Sequence, residues 1–66
     1  MKFWEKLREL RMAKGVSQKE VAEAIGVTPS AYSNYEQGTR EPSIPILITI
    51  CKYFDVTSDY LIGLED

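Results

Sequence analysis

The sequence predicts an all-α fold, built as a compact bundle of five short helices in one domain. Helix-start signals recur along its 66 residues, with Ser17, Thr28, Ser43 and Thr57 each placed as an N-cap. Apolar residues near these caps return at spacings of three and four, the period of a helix that buries one face. Because a chain of this length buries only about 60% of its unfolded surface, its helices must pack efficiently to be stable.

The first helix is predicted from Phe3, Leu7 and Leu10, which recur at i, i+4 and i+7 and define one apolar face. A basic last turn and Gly15 as the C-cap residue close this helix. Trp4 lies beside the apolar face, where partial burial in the core is the expected state and an exposed anchor for a partner is the alternative.

Two further helices follow closely on each other between residues 17 and 38. The first begins with an S-x-x-E capping box at Ser17 and ends before Gly26. The second begins at the N-cap Thr28, with Pro29 at the first helical position. Two helices of about two turns joined by so short a turn must cross steeply, which describes a helix-turn-helix unit.

The two sides of the second of these helices differ in character. Tyr32 and Tyr35 point to one side, whereas the opposite side carries small polar groups. These polar residues are Ser30, Ser33, Asn34 and Gln37. The pattern predicts a buried side and a reading side, and the common use of such a helix is insertion into the major groove of DNA.

In these residues the sequence resembles the small lambda-repressor-like, Cro-type (Xre) helix-turn-helix regulators. The resemblance rests on three stretches together, LRELRMAKGVSQKEVAEAIGV, YSNYEQGTREPS and YFDVTSDYLIG. It implies a DNA-binding domain over residues 7–61, with the helix-turn-helix motif at about 18–37. Residues 1–6 then extend the first helix, and residues 62–66 form a C-terminal tail.

By residue-by-residue analogy, the resemblance implies two sets of DNA-contacting side chains. The base-reading set is Pro29, Ser30, Ser33 and Asn34, in which asparagine suits adenine. The phosphate-contacting set is Ser17, Gln18, Lys19, Thr28, Gln37 and Arg40. Because the reading helix has no Arg or Lys, the strongest contact to guanine is missing. Either Gln18 and Lys19 add base contacts or the shape of the DNA contributes.

The resemblance also implies a structural ion pair between Arg11 and Glu36, the glutamate of the E-x-G that ends the reading helix. Such a pair would lock the first helix to the third, and the loss of one partner would cost about 3 kcal/mol. The alternative is two solvated surface charges whose attraction is worth under about 1 kcal/mol.

The fourth helix begins at the N-cap Ser43 and is apolar around most of its circumference. Its expected core face, flanked by Ile50, is the stripe Ile44, Leu47, Ile48, Cys51 and Phe54. Apolar residues outside that stripe and in the short last helix either close the core or form the surface of a two-fold dimer. The expected dimer surface is Ile46, Tyr53, Tyr60, Leu61 and Leu64.

Charge is unevenly distributed along the chain. The net charge of −2 taken alone argues against nucleic acid as a partner. Residues 1–19 nevertheless carry six Lys and Arg against two Glu, whereas residues 41–66 carry one Lys against five acidic residues. Because the basic end leads into the helix-turn-helix unit, we expect modest DNA affinity that falls quickly as salt is added.

The composition argues against several classes of protein. With no His and a single Cys, the sequence offers no Cys/His metal site and no intramolecular disulfide, so neither a metal nor a cofactor is expected. Cys51 is expected to be an inert buried thiol, since no base is present to activate it. No segment has the form of a signal peptide or a membrane span, which favours a cytoplasmic protein with no membrane partner.

The expected function is that of a sequence-specific double-stranded DNA-binding transcriptional regulator. The specific form is a homodimeric repressor that inserts helix 28–36 into the major groove of a palindromic operator. The alternative is a protein-interaction module, or an antitoxin-like partner binder, with the same fold and weak DNA binding. An enzyme is not expected, because the sequence has no Gly-rich phosphate loop and no nucleophile paired with a base. No small-molecule ligand is evident.

Overall fold

The computed structural model describes residues 1–63, which form five short helices. They are α1 Phe3–Lys14, α2 Gln18–Ile25, α3 Pro29–Gln37, α4 Ile44–Phe54 and α5 Ser58–Ile62. All five helices contribute buried side chains to one hydrophobic core, and the Cα radius of gyration is 10.5 Å. The predicted all-α bundle of five short helices is confirmed.

Side-chain caps begin α2 and α3 where the sequence predicted them. The Ser17 Oγ accepts a hydrogen bond from the Glu20 amide at 3.0 Å, and a Glu20 carboxylate oxygen accepts one from the Ser17 amide at 3.1 Å. The Thr28 Oγ1 accepts from the Ala31 amide at 3.1 Å. Because the loss of such a cap costs about 1 kcal/mol, these local bonds fix the positions where the two short helices start.

The core takes side chains from one face of each helix. Its largest fully buried side chains are Tyr32, Leu7, Ile50, Leu61 and Val21. Full burial of a Leu or Ile side chain contributes roughly 1.5–3 kcal/mol, so the core outweighs any single cap. Cys51 is 8% exposed within this core, and burial raises the pKa of its thiol, which keeps the sulfur protonated and unreactive.

The prediction for the core face of α4 is wrong in orientation. Ile44 and Ile48, expected in the core, are 74% and 49% exposed, whereas Ile50, expected on the flank, is fully buried. The side chains of α4 that belong to the core or pack against it are Ile46, Leu47, Ile50, Cys51, Tyr53 and Phe54. At 100° per residue this arc is turned by about 80° from the predicted stripe. Spacing alone cannot select one face of a helix that is apolar nearly all round, because its packing against α1, α2 and α5 decides the face.

The structure also corrects part of the expected dimer surface. Leu61 is fully buried, so its side chain cannot contact another molecule. Ile46 and Tyr53 are partly buried against the core, and Leu64 lies outside the described residues. Tyr60 is 36% exposed. The other large hydrophobic residues that are exposed in residues 1–63 are Met1, Met12, Ile44, Ile48 and Ile62.

A buried lysine ties α1 to α5. Lys6 is 8% exposed, and its Nζ donates a hydrogen bond to the Tyr60 carbonyl oxygen at 3.0 Å. The same Nζ lies 4.7 Å from the centroid of the Tyr60 ring, within cation–π range. Because the carbonyl belongs to the C-terminal end of α5, the helix dipole favours a cation there. The five-residue α5 is therefore held by contacts from a distant part of the chain.

The dimensions of the helices bear on membrane insertion. The longest, α1, has 12 residues and therefore spans about 18 Å, against about 30 Å for the hydrocarbon core of a bilayer. Among residues 1–63, no helix has both the length and the apolar character needed to cross a membrane. Over the same residues, no cluster of three or more His, Cys, Asp or Glu side chains is placed to hold a metal ion.

Candidate nucleic-acid interface

The α2–α3 unit places one side of α3 in the core and leaves the other side open. Gly26 ends α2 with a φ of 81°, in the left-handed region that glycine adopts without strain, so α3 can begin three residues later. Tyr32 is fully buried and Tyr35 is 3% exposed. Their rings meet edge to face with centroids 6.3 Å apart. This aromatic contact anchors α3 from behind.

The open side of α3 carries the polar side chains that the sequence assigned to base reading. Pro29 and Ser30 in the first turn are exposed, and Ser33 and Asn34 one turn further are half-buried. Gln37, in the last turn, is exposed. Spacings of three and four residues place these side chains along one strip of the helix. We call this strip, residues 29, 30, 33, 34 and 37, the reading strip.

Two hydrogen bonds already order the reading strip. The Gln37 Nε2 donates to the Ser33 Oγ at 2.9 Å, and the Thr39 hydroxyl shares its one proton between the Asn34 Oδ1 and the Asn34 carbonyl oxygen, each 3.3 Å away. The Ser33 hydroxyl keeps its own proton for donation, and Asn34 keeps both protons of its NH₂ group. A ligand that approaches the strip would therefore meet donors that are partly fixed in advance.

Behind the reading strip, Arg11 and Glu36 join α1 to the end of α3. The Arg11 Nε lies 2.6 Å from one carboxylate oxygen of Glu36, and its Nη2 donates to the other at 3.2 Å, so the pair is bidentate. The Glu36 side chain is 3% exposed and the Arg11 side chain 17% exposed, which is a shielded pair and not two solvated charges. The Arg11 Nη1 also donates to the Val16 carbonyl oxygen at 3.1 Å, just before α2.

Gln18 shares the same carboxylate. Its Nε2 donates to Glu36 at 3.1 Å, which holds the first turn of α2 against the end of α3. Burial acts to raise the pKa of Glu36, but the hydrogen bonds from Arg11 and Gln18 help to outweigh it, and that pKa lies below its ordinary value. The bond to Glu36 in turn raises the pKa of Arg11. Glu36 thus stays ionised, and Gln18 keeps its side-chain oxygen and one N–H for another partner.

The side chains assigned to phosphates lie in the first turn of α2, at the start of α3 and near the end of α3. The hydroxyls of Ser17 and Thr28 are engaged as N-caps, next to the first-turn amides that make helix N-termini suited to anions. Lys19, Gln37 and Arg40 are exposed and can reach an approaching ligand. These three side chains, Gln18 and the first-turn amides offer positive charge or hydrogen-bond donors to a polyanion.

Trp4 packs on the end of α3, a contact that the sequence analysis missed. Gly38 ends α3 with a φ of 76°, and a Cβ atom placed on it would come within 2.6 Å of the Trp4 Cδ2. The half-buried indole therefore lies directly on the Gly38 backbone. A groove of about 270 Å³ opens beside it, lined by Phe3, Trp4, Gly38, Arg40, Glu41, Pro42, Leu47 and Ile62. The glycine of the E-x-G stretch signals a helix end, but no local sequence pattern indicates that Trp4 packs on it.

With α3 anchored from behind and open in front, α2 and α3 define a helix-turn-helix domain. The chain belongs to the helix-turn-helix family, because the HTH_3 family model matches residues 7–61. This match, together with the relatives below, confirms the resemblance to lambda-repressor-like, Cro-type (Xre) regulators. The family is one of transcriptional regulators, which also confirms that the domain is not an enzyme.

Individual relatives agree with this membership. The uncharacterized HTH-type transcriptional regulator YqaE of Bacillus subtilis (strain 168) is 42% identical over 63 residues, which cover 96% of this chain and 54% of the relative. The regulator ImmR of the same organism is 33% identical over 66 residues, covering 100% of this chain and 52% of the relative. The P22 c2 repressor, solved in complex with the synthetic operator 9T, matches with a TM-score of 0.93 and 25% identity over 98% of both chains. This chain spans about half the length of the curated relatives it matches.

Proposed function

We propose that this chain is a sequence-specific double-stranded DNA-binding transcriptional regulator that inserts α3 into the major groove. The observation that carries the proposal is the reading strip, held outward because Tyr32 and Tyr35 are buried on the other side of α3. The major groove, about 12 Å wide, admits an α-helix whose outer side chains then reach the base edges. The P22 c2 repressor, which has this fold at a TM-score of 0.93, was solved with operator DNA, and this supports the proposal.

In this docking the base-reading side chains are Pro29, Ser30, Ser33 and Asn34. Asn34 has both a donor and an acceptor on its amide, so it is the side chain suited to a bidentate contact with adenine. Ser33 accepts from Gln37 and donates outward, so it suits an acceptor on a base edge. Because α3 contains no Arg or Lys, we infer that DNA shape contributes part of the specificity.

The phosphate backbone would be held in the first turn of α2 and at the two ends of α3. Ser17, Gln18 and Lys19 begin α2, Thr28 begins α3, and Gln37 and Arg40 lie near its end. Lys19 and Arg40 are the cations of this set, and each phosphate neutralised adds about −0.9 to the slope of log affinity against log salt. Two cations predict a slope of about −2 per domain, a modest and salt-sensitive affinity.

We further infer that the regulator acts as a homodimeric repressor at a palindromic operator, because helix-turn-helix repressors commonly bind as two-fold dimers to half-sites about 10 bp apart. With Leu61 buried, the contact between copies would use Ile44 and Ile48, which lie one turn apart on α4 and are 74% and 49% exposed. Tyr60 and Ile62 on α5 are exposed as well, so a partner copy could also contact α5. We also propose a cytoplasmic location, because a regulator of transcription must reach the DNA that it controls.

A second candidate function is a protein-interaction module, or an antitoxin-like partner binder, on the same fold. The exposed Ile44 and Ile48 favour it, because a different protein could cover them as well as a second copy could. The net charge of −2 favours it as well, since it weakens long-range attraction to DNA.

DNA selection and titration separate the two functions. In vitro selection from a random pool should recover a palindrome with half-sites about 10 bp apart if the chain is a dimeric regulator. Affinity for the recovered site should fall between two salt concentrations, and a slope near zero would exclude phosphate engagement and favour the interaction module. Asn34→Ala should weaken binding to the recovered site by about tenfold, within the range of one lost bidentate contact. The control Ser58→Ala, at an exposed residue of α5, should leave binding unchanged.

A further inference from the structure

Thr39 makes three contacts with Asn34, although the sequence analysis assigned it no role. Its backbone amide donates to the Asn34 carbonyl oxygen at 3.1 Å. Its hydroxyl lies 3.3 Å from that carbonyl oxygen and 3.3 Å from the Asn34 Oδ1. The far end of the Asn34 side chain is therefore held by a residue that follows α3.

The position of the Thr39 hydroxyl is itself fixed by the end of α3. Gly38 holds a left-handed conformation with a φ of 76°, and the Trp4 indole lies against it. The bond from the Thr39 amide to Asn34 then closes the turn. Thr39 is exposed, so its hydroxyl serves this local contact and not the core.

The contact leaves Asn34 able to recognise a base. Its Oδ1 has a second lone pair after accepting from Thr39, and its NH₂ group keeps both protons. A bidentate contact with adenine requires one acceptor and one donor from the amide. If the amide is turned by 180°, the Nδ2 donates to the Thr39 hydroxyl instead, and one acceptor and one donor again remain open. The contact therefore orders the amide in either orientation.

We propose that Thr39 is a positioning residue for base discrimination, which presets the Asn34 side chain without touching DNA itself. The proposal rests on the proposed DNA-binding function. An asparagine that is free in solution must be ordered on binding, at a cost equivalent to about two- to tenfold in affinity. An amide released from Thr39 also turns more easily toward partners on a mismatched pair, so the loss appears as reduced discrimination.

The first test uses the free protein and needs no DNA. Thr39→Val removes the hydroxyl and keeps the β-branched shape, Thr39→Ser keeps the hydroxyl, and thermal unfolding checks that both variants fold. In the ¹⁵N-labelled chain, the side-chain amide of Asn34 should show restricted picosecond-to-nanosecond motion in the wild type and in Thr39→Ser. Its motion should increase in Thr39→Val. Unchanged motion in Thr39→Val would overturn the proposal.

The second test measures discrimination on the DNA site recovered by selection. The base pair to change is the one at which the Asn34→Ala variant no longer prefers the original sequence. The wild type and Thr39→Ser should favour the original base pair over the changed one by the same factor in affinity. In Thr39→Val this factor should fall by about two- to tenfold, while the slope of log affinity against log salt stays unchanged. Equal discrimination by Thr39→Val and the wild type, or an equal loss in Thr39→Ser, would refute the proposal.

Failure of the proposed function is distinguishable from failure of the positioning role. If the wild type shows no salt-dependent DNA binding, the proposed function and the role of Thr39 in discrimination are both overturned. Salt-dependent binding by the wild type, combined with unaltered discrimination in Thr39→Val, overturns the positioning role alone.

Discussion

Replacing Arg11 by Met should remove a large part of the stability of this domain. The change deletes two hydrogen bonds to the Glu36 carboxylate, at 2.6 and 3.2 Å, and one to the Val16 carbonyl oxygen at 3.1 Å. Methionine keeps most of the apolar stem, so the loss reports the guanidinium and not the packing. Glu36, whose side chain is 3% exposed in the intact pair, would lose its cation.

The expected magnitude follows from the burial of the pair. Breaking a buried pair by removing one partner costs about 3–5 kcal/mol. The lower end applies here, because Gln18 still donates to Glu36 and because Arg11 is 17% exposed. A loss of about 3 kcal/mol is more than half of the roughly 5 kcal/mol at the lower end of domain stabilities. At about 4–8 °C per kcal/mol for a domain of this size, it lowers the Tm by roughly 20 °C.

Urea and thermal unfolding followed by circular dichroism measure this effect. The control is Arg8→Met, at an exposed residue of the same helix, which should change stability by no more than about 0.5 kcal/mol. A double-mutant cycle with Glu36→Gln isolates the interaction between the two side chains. A coupling energy under about 1 kcal/mol, the value of an exposed surface pair, would refute the reasoning.

The same pair predicts how stability depends on pH. The pKa of Glu36 is lower in the folded protein than its ordinary value, so the folded state binds this proton more weakly than the unfolded state does. The resulting stabilisation is fully present above the unfolded pKa and is lost as the pH falls through the folded pKa. Acidification through that window should therefore destabilise the wild type more steeply than Glu36→Gln. The free energy of unfolding can be measured by urea titration at several pH values. An equal fall with decreasing pH in the wild type and in Glu36→Gln would contradict this prediction.

Two further predictions compare matched substitutions in urea unfolding. Gly38→Ala should cost about 3 kcal/mol, because left-handed strain adds to a clash of its Cβ with Trp4 at 2.6 Å. Gly15 also has a positive φ, of 75°, but has open space around it, so Gly15→Ala should cost only about 1–2 kcal/mol. If the two substitutions lowered the free energy of unfolding equally, the Trp4 indole would have moved aside to accept the new Cβ. At a protein concentration low enough to keep the chain monomeric, Ile50→Ala should cost about 2–5 kcal/mol and the exposed Ile48→Ala no more than about 0.5 kcal/mol. The reverse order would restore the core face first predicted for α4.

The features of the fold that the sequence predicted correctly are encoded by neighbouring residues. The capping box at Ser17 and the cap at Thr28 are contacts over three residues, so the sequence alone places the starts of α2 and α3. The buried sides of Tyr32 and Tyr35 also follow from local spacing, because the rest of α3 is polar. Where apolar and polar residues alternate clearly, helical periodicity identifies the core face.

Features that depend on distant contacts did not follow from spacing. The apolar circumference of α4 gave no contrast between faces, and packing against neighbouring helices decided its orientation. The prediction was therefore wrong for Ile44, Ile48 and Ile50, although Leu47, Cys51 and Phe54 do face the core. The bond from Lys6 to Tyr60 joins residues 54 positions apart, and no pattern signals it. The pair of Arg11 and Glu36 spans 25 positions and was implied by the family resemblance alone.

Because Trp4 lies against Gly38, its intrinsic fluorescence is a probe of the junction between α1 and the end of α3. Trp4 is the only tryptophan in the sequence, so fluorescence excited selectively from indole comes from a single position. That emission reports local loosening where α1 meets the end of α3, while circular dichroism reports the helices as a whole. Comparing the two signals during unfolding shows, without any attached dye, whether this junction opens before the bundle melts.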